Sequence, residues 1–217
     1  MNIIYIHGLD SDANSTKGLL LEKYCQQHHP DINVLRPDLN KTPDEVFRQI
    51  LLLIKSLNNN NIENKHIEPL NTVLIGSSLG GYFSTLVSNH IGCAALLLNP
   101  SIQPHITLQR FSKDSTLNNG TKDYDLRGNV VHSTAGGWDI TKADLQWFEA
   151  HQLSAVNYPN KISVLIKEGD ELLNPEMSKQ FYEEQGAMVT VQAGGDHRFS
   201  DFGEQLPVVI DTLKQLL

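Results

Sequence analysis

The stretch Gly76-Ser77-Ser78-Leu79-Gly80 follows the apolar run Thr72–Ile75 and precedes a segment of helical character, Leu79 to about His90. A short β-branched run that ends in glycine is typical of a strand buried on both faces of a parallel sheet. The stretch therefore predicts a sharp turn that connects a buried strand to a helix. A serine at such a turn is held at the edge of the sheet, where it can act as a nucleophile.

The spacing of the glycines distinguishes Ser78 from its neighbour Ser77. In a G-x-S-x-G turn the residues two before and two after the nucleophile approach other backbone so closely that side chains would clash. Gly76 and Gly80 occupy those two positions around Ser78, so we expect them to be the elbow glycines. The following helix starts at the serine, so the N–H of Leu79 is expected to stabilise a developing oxyanion.

The alternation of strand-like and helix-like segments continues on both sides of this turn. Strands alternating with helices imply parallel pairing through right-handed crossovers. The sequence therefore predicts an α/β fold, a three-layer α/β/α sandwich around a mostly parallel sheet. The other predicted strands are Ile3–Ile6, Asn33–Leu35, Cys93–Leu98, Ile162–Ile166 and Met188–Gln192.

One segment, Ser101 to Asn160, loses this alternation and is rich in Asn, Gly and Thr. We interpret it as a lid insertion, at about 101–160, in a single domain that spans 1–217. It contains Trp138, Trp147 and Phe148, which are candidates for an apolar acyl-binding wall. An alternative is that these aromatic side chains pack the insertion onto the sheet.

A serine hydroxyl is a weak nucleophile, so a base and an acid are expected in later loops at the carboxyl ends of strands. His197 ends the sequence Gly194-Gly195-Asp196-His197 after the last predicted strand, and is the candidate base. Asp170 follows the strand that ends at Ile166 and is the preferred acid. Its neighbours Glu168 and Glu171 are less favoured, and Asp196 is a weaker candidate because adjacent side chains usually diverge.

The loop after the first strand, His7-Gly8-Leu9, is expected to supply a second oxyanion donor. Gly8 allows the backbone to turn, and the N–H of Leu9 is the candidate donor. His7 is expected to brace the loop rather than to transfer protons.

Composition excludes several classes of partner. Of 217 residues, 17 are Lys or Arg and 25 are Asp or Glu, so the net charge of −8 disfavours a nucleic-acid surface. The two cysteines, Cys25 and Cys93, match no metal-ligand spacing and are expected to be free, and no metal or cofactor is expected. No run approaches the roughly 20 apolar residues of a membrane span, and no signal peptide is recognisable, so we expect a cytoplasmic protein. The oligomeric state is not indicated.

Several motifs together resemble the YqiA-type esterases of the α/β-hydrolase superfamily. They are Ile4-Tyr5-Ile6-His7-Gly8 with Ser11 and Lys17, Gly76-Ser77-Ser78-Leu79-Gly80-Gly81-Tyr82, Asn99-Pro100 with Pro104, Gly169-Asp170-Glu171, and Gly194-Gly195-Asp196-His197 with Phe199 and Phe202. The resemblance implies a carboxylesterase for short acyl esters or acyl thioesters, with Ser78, Asp170 and His197 as its triad. Leu9 stands where the family prefers Phe, and the segment Thr107 to Asn157 matches little, which leaves the substrate open.

Two other functions are compatible with the same residues. An acyltransferase or a peptidase would use the same triad, because the choice of leaving group and acceptor depends on the predicted lid. A binding protein on an inactive hydrolase scaffold is the alternative from another class, although the intact Ser78, Asp170 and His197 argue against it.

Overall fold

The computed structural model describes residues 1–57, 71–114 and 130–217. The elements in chain order are β1 (Asn2–Ile6), α1 (Thr16–His28), β2 (Asn33–Leu35), α2 (Pro43–Leu57), β3 (Thr72–Ser77), α3 (Leu79–Ile91), β4 (Ala94–Leu98), α4 (Pro104–Thr107), α5 (Gln109–Asp114), β5 (Val130–Ser133), β6 (Asp139–Thr141), α6 (Lys142–Ala150), β7 (Ile162–Lys167), α7 (Pro175–Glu184), β8 (Met188–Gln192) and α8 (Phe202–Gln215).

Six strands form the main sheet in the order β2-β1-β3-β4-β7-β8. The pairings that the structure describes in this sheet are parallel, for example Ile6 opposite Gly76 and Ser77 opposite Leu98. The carboxyl ends of all six strands therefore meet at one edge. The order places β1 beside β3 and places β4, β7 and β8 in succession on the other side of β3.

Alternate side chains of the central strands enter two apolar layers, as the pleat of a strand requires. On one face, Ile3 and Tyr5 pack with side chains of α1 and α8. On the other face, Ile4 and Ile6 pack with side chains of α2, α3, α6 and α7. The predicted three-layer α/β/α sandwich is thus confirmed.

The segment between β4 and β7, in which a lid was predicted, contains β5 and β6 as a separate two-stranded antiparallel sheet. We call β5, β6 and the turn between them the hairpin. Helix α6 follows the hairpin directly and packs in the layer of α2 and α3, with Phe148 in the same core cluster as Tyr82 and Phe83. Residues 115–129 of the predicted lid lie outside the described residues. Within the described ranges, no helix is both long and apolar enough to cross a membrane.

Candidate active site

Ser78 lies at the turn between β3 and α3, as the pentapeptide predicted. Its backbone has φ 55° and ψ −117°, a conformation that residues with a side chain adopt at a cost of order 1–3 kcal/mol. The turn is held on both sides, since the Ser78 N–H donates to the Leu98 carbonyl and the Ser78 carbonyl accepts from Gly81 and Ser101. The strained turn keeps the serine hydroxyl at the carboxyl edge of the sheet.

The two elbow glycines are required by close packing. A Cβ at Gly80 would lie 2.1 Å from the Ile6 carbonyl oxygen, and a Cβ at Gly76 would lie 2.4 Å from the Gly80 carbonyl oxygen. Because these neighbours are backbone atoms, they cannot move aside without shifting β1 or α3. Glycine at both positions allows α3 to start against β1, which brings the loop after β1 next to Ser78.

The structure brings Ser78, His197 and Asp170 together in one hydrogen-bonded chain. His197 Nε2 lies 3.0 Å from Ser78 Oγ, and His197 Nδ1 lies 2.9 and 2.8 Å from the two carboxylate oxygens of Asp170. The Asp170 side chain is only 3% exposed, and that of His197 is 11% exposed. Ser78, His197 and Asp170 follow β3, β8 and β7, respectively. Because these strands are parallel, all three residues lie at the same edge of the sheet. The geometry is that of a nucleophile, a base and an acid that orients the base.

Asp170 is fixed before any substrate arrives. Its Oδ1 accepts hydrogen bonds of 2.9 Å from the N–H groups of Leu172 and Leu173. These two bonds prevent the carboxylate from rotating away from His197. The loop after β7 therefore presents a carboxylate that is both oriented and shielded.

The alternative acids have other contacts. Both carboxylate oxygens of Asp196 accept from Ser200, one from its N–H and one from its hydroxyl. These bonds hold the pKa of Asp196 below its ordinary value. Glu171 contacts His197 at the backbone, because its Oε2 accepts from the His197 N–H at 2.9 Å. Among these acids, only Asp170 contacts the imidazole ring.

Asn99-Pro100 belongs to the motifs that resemble the family, and the sequence alone indicates no role for the Asn99 side chain. Asn99 is 2% exposed and has a φ of 43° at the end of β4. Its Nδ2 donates to the carbonyls of Asp196 (3.0 Å) and His197 (3.3 Å), and its Oδ1 accepts from the Lys167 N–H (2.8 Å). One amide side chain therefore ties the ends of β4 and β7 to the loop that carries His197. One signal in the sequence could have indicated this role: Asn99 is a polar residue at the end of β4, and β4 lies between the strands that precede Ser78 and Asp170.

Two lysines also hold the His197 loop. Lys17 Nζ donates to the Arg198 carbonyl at 2.6 Å, and burial lowers the pKa of this amine to about 8 although the Asp196 carboxylate opposes the shift. Lys167 is buried, with its Nζ 2.5 Å from Asp201 Oδ2 and 4.8 Å from the centre of the Phe199 ring. The loop is thus attached to α1, β4 and β7 at once.

The two expected oxyanion donors belong to residues near Ser78: Leu79 follows Ser78 in the chain, and Leu9 follows Gly8, which lies against Ser78. Within the described part of the chain, neither the N–H of Leu9 nor that of Leu79 has a hydrogen-bond acceptor. A Cβ built on Gly8 would lie 3.1 Å from Ser78 Cβ, so the loop after β1 contacts the serine directly. Two free N–H groups beside a serine can bind the oxygen of a tetrahedral intermediate.

His7 braces this loop. The Leu39 N–H donates to His7 Nε2 at 3.0 Å, so that nitrogen is unprotonated, and Nδ1 donates to the Gly8 carbonyl at 2.9 Å. The ring is buried and both nitrogens are engaged, so His7 connects the loop after β1 to the loop after β2 as a neutral side chain.

A small pocket with room for about one water molecule adjoins the residues of the two candidate oxyanion donors. Trp138, one of the three candidate pocket residues, is in the turn of the hairpin and lies in its wall. Trp147 and Phe148 are not among the residues that line it. The lining consists of His7, Gly8, Leu9, Leu39, Asn40, Leu79, Phe83 and Trp138.

Helix α6 explains the positions of the other two aromatics. Phe148 is 0% exposed and packs edge-on against Tyr82, with their ring centres 5.4 Å apart. Trp147 stacks on His151, with ring centres 3.9 Å apart. The two readings of the predicted lid therefore apply to different residues: Trp138 lines a pocket, whereas Trp147 and Phe148 attach α6 to the sheet layer.

The hairpin is fastened to the loop after β1 by polar contacts. His132 Nε2 lies 3.2 and 3.3 Å from the carboxylate oxygens of Asp10, and the Ala135 N–H donates to the same carboxylate. On the other side, Thr134 Oγ1 donates to Asn40 Oδ1 at 3.2 Å. These bonds place Trp138 over the pocket.

Within the described ranges, no group of three or more His, Cys, Asp or Glu side chains is arranged to hold a metal ion. Both cysteines are free and buried, and burial raises the pKa of Cys25 to about 11.

Comparison with known protein families gives one match over almost the whole chain. Residues 2–214 match the model of an uncharacterised protein family, UPF0227.

Comparison with solved structures gives relatives of the same fold. Alpha/beta hydrolase domain-containing protein 10 from mouse has a TM-score of 0.62 at 18% identity, with 100% of this chain and 90% of that chain covered. Est1E from Butyrivibrio proteoclasticus has a TM-score of 0.66 at 14% identity, covering 99% and 85%. The alpha/beta hydrolase GrgF from Penicillium sp. sh18 has a TM-score of 0.62 at 16% identity, covering 99% and 88%. The expected α/β-hydrolase fold is thus confirmed.

Proposed function

The chain belongs to the UPF0227 family, the YqiA family whose motifs it resembles, and on that premise we propose that it is a serine carboxylesterase. Its fold is that of hydrolases. The proposed substrates are small or short-acyl esters, with acyl thioesters as a related class, and the reaction proceeds through an acyl-enzyme. The observation that carries the proposal is the hydrogen-bonded chain from Ser78 Oγ through His197 to the carboxylate of Asp170.

The proposed mechanism uses the side chains of Ser78, His197 and Asp170 and two backbone N–H groups. His197 Nε2 removes the proton from Ser78 Oγ as that oxygen attacks the ester carbonyl, and Asp170 stabilises the imidazolium that forms. The N–H groups of Leu9 and Leu79 hold the oxyanion of the tetrahedral intermediate. His197 then donates its proton to the leaving alcohol or thiol, whose bond to the carbonyl carbon breaks. Water deprotonated by His197 releases the acid and restores Ser78.

The small pocket supports the preference for short acyl groups. It adjoins the residues of both candidate oxyanion donors, and its wall includes Leu39, Phe83 and Trp138. The pocket has room for about one water molecule, so the space beside the donors favours a small acyl group. No described residue of this wall is a lysine or an arginine.

A fluorophosphonate probe tests the nucleophile and short aryl esters test the reaction. We expect the probe to label the protein on Ser78, as located by peptide mapping, and p-nitrophenyl acetate to be hydrolysed with more than one turnover. A folded protein that neither reacts with the probe nor hydrolyses the ester would instead be a binding protein on a hydrolase scaffold. Addition of competing alcohols separates hydrolysis from acyl transfer, because a transferase would give mostly new ester rather than free acid.

A further inference from the structure

The loops after β7 and β8, which carry the candidate acid and the candidate base, are joined by main-chain hydrogen bonds only as far as Gly169. The Glu168 N–H donates to the Gln192 carbonyl and the Gly169 N–H donates to the Gly194 carbonyl, both at 2.9 Å. Among the described residues, no main-chain hydrogen bond connects the two loops beyond Gly169. The connections that follow along the loops are therefore made by side chains.

The loop after β8 needs such connections because its own backbone is adaptable. Gly194 and Gly195 have φ angles of 67° and 73°, and glycine has more accessible backbone conformations than any other residue. Two consecutive glycines therefore do not determine where His197 lies. Because a small displacement of a catalytic group slows proton transfer strongly, the loop requires an anchor close to His197.

Glu171 provides an anchor at the His197 main chain. Its Oε2 accepts from the His197 N–H at 2.9 Å, while the carboxylate of the preceding residue, Asp170, accepts from Nδ1 of the same histidine. Two consecutive carboxylates thus hold one histidine at two points, Asp170 at the ring and Glu171 at the backbone. We call these two contacts the clamp.

The other anchors of the loop bind different groups. Asn99 donates to the carbonyls of Asp196 and His197, and Lys17 donates to the Arg198 carbonyl. These side chains are donors, so they cannot replace an acceptor for the His197 N–H. Among the described residues, Glu171 is the acceptor of that N–H.

We propose that Glu171 is a positioning residue for the esterase reaction, whose carboxylate oxygen holds the main chain of His197 so that Nε2 stays within reach of Ser78 Oγ. The inference rests on the proposed esterase function and adds a fourth side chain to its machinery. Glu171 transfers no proton and acts through His197. What the reaction requires at this position is therefore an acceptor oxygen of the right reach.

Steady-state hydrolysis of p-nitrophenyl acetate tests the proposal with Glu171→Ala, Glu171→Gln and Glu168→Ala. The first variant removes the acceptor, and the second keeps an acceptor oxygen without the charge. Glu168→Ala is the matched control, because Glu168 is an exposed glutamate of the same loop whose carboxylate has no partner among the described residues.

We expect Glu171→Ala to lower kcat about tenfold with KM within twofold, since a misplaced base slows proton transfer without weakening binding. Glu171→Gln should recover most of the lost kcat, and Glu168→Ala should match the wild type. Glu171 is exposed, so its truncation should leave the melting temperature nearly unchanged.

A second measurement follows the clamp without turnover. The proton shared by His197 Nδ1 and Asp170 is expected to give a signal far downfield in the ¹H NMR spectrum. In Glu171→Ala we expect this signal to broaden through faster exchange with water, because the ring is held at one point only. Glu171→Gln and Glu168→Ala should keep the signal sharp.

The outcomes separate the two levels of the proposal. If the wild type hydrolyses the ester, equal kcat values in Glu171→Ala and Glu168→Ala, or equal losses in Glu171→Ala and Glu171→Gln, would overturn the role of Glu171 and leave the esterase intact. An unchanged NMR signal in Glu171→Ala would do the same. A folded wild type that hydrolyses no ester would overturn the proposed function together with the inference that rests on it.

Discussion

The groups expected to react and the wall expected to select the substrate are constructed in different ways. Ser78, Asp170 and His197 each lie at the carboxyl end of a strand of one parallel sheet, and the strand order brings them together. Trp138 lies in a hairpin outside that sheet, which is positioned by contacts with Asp10 and Asn40. The first group is positioned by the main-chain hydrogen bonds of the sheet. The second is positioned by side-chain contacts, which include the burial of Trp138 and Ile140 in the core cluster.

This difference predicts how each region responds to substitution. A change in the triad removes a group from the reaction while the sheet remains, so activity falls and stability is largely kept. A change in the contacts of the hairpin displaces Trp138 in the pocket wall, so we expect substrate preference and KM to change more than kcat.

The largest effect is expected at the nucleophile. Ser78→Ala removes the attacking oxygen, so we expect kcat for p-nitrophenyl acetate to fall by roughly 10⁴-fold or more while the melting temperature is preserved. Ser77→Ala is the matched control, because Ser77 is the adjacent serine, is the last residue of β3 and is buried. Ser77→Ala should retain most of the activity. Activity close to wild type in Ser78→Ala would refute the assignment of the nucleophile.

The acid should come next. Asp170→Asn keeps the shape of the side chain but cannot stabilise the imidazolium, so we expect kcat to fall by about 10⁴-fold, as in other Ser-His-Asp triads. Asp196→Asn is the control, since Asp196 bonds to Ser200 rather than to the ring of His197. We expect it to cost less than tenfold. If Asp196→Asn proved the more damaging change in steady-state kinetics, the acid would have been misidentified.

The same contrast separates the features that the sequence predicts from those that it does not. Strands such as Met188–Gln192, and the positions of Ser78, Asp170 and His197, are indicated by local patterns, because glycine turns and apolar runs specify backbone over a few residues. For Trp147 and Phe148 the sequence leaves both a pocket wall and packing of the insertion open. Their placement depends on how α6 packs against α3, and that contact between distant segments leaves no local pattern in the sequence.

Asn99 combines a local and a long-range feature. Its place at a strand end is visible in the sequence, whereas its contacts with Asp196, His197 and Lys167 depend on the order of the strands. Asn99→Asp keeps the acceptor for the Lys167 N–H but loses the donor to the carbonyls of Asp196 and His197. We expect a fall of about 10- to 100-fold in kcat with little change in KM, because a displacement of the base by a fraction of an ångström slows proton transfer.

The control for Asn99 is Asn89→Asp. Asn89 makes a similar bridge elsewhere, with Nδ2 donating to the Ala155 carbonyl and Oδ1 accepting from the Asn157 N–H. Both variants should lower the melting temperature, whereas only Asn99→Asp should lower kcat per folded molecule, with folding followed by circular dichroism. Equal kcat values in the two variants would show that Asn99 supports the fold without positioning His197.

The smallest effect is expected where the hairpin meets the loop after β1. Asp10→Asn removes the charge that faces His132, and exposed pairs of this kind contribute about 0.2–1 kcal/mol, so the melting temperature should change little. Because Asp10 is adjacent to Leu9 and also accepts from Ala135, we expect the KM for butyrate esters to rise a few-fold while kcat stays within twofold. Asp44→Asn, which breaks the exposed pair with Arg48 on α2, should change neither parameter. A large loss of kcat in Asp10→Asn would mean that the hairpin contacts also hold the oxyanion donor in place, and the separation between reacting groups and selecting wall would then fail at Leu9.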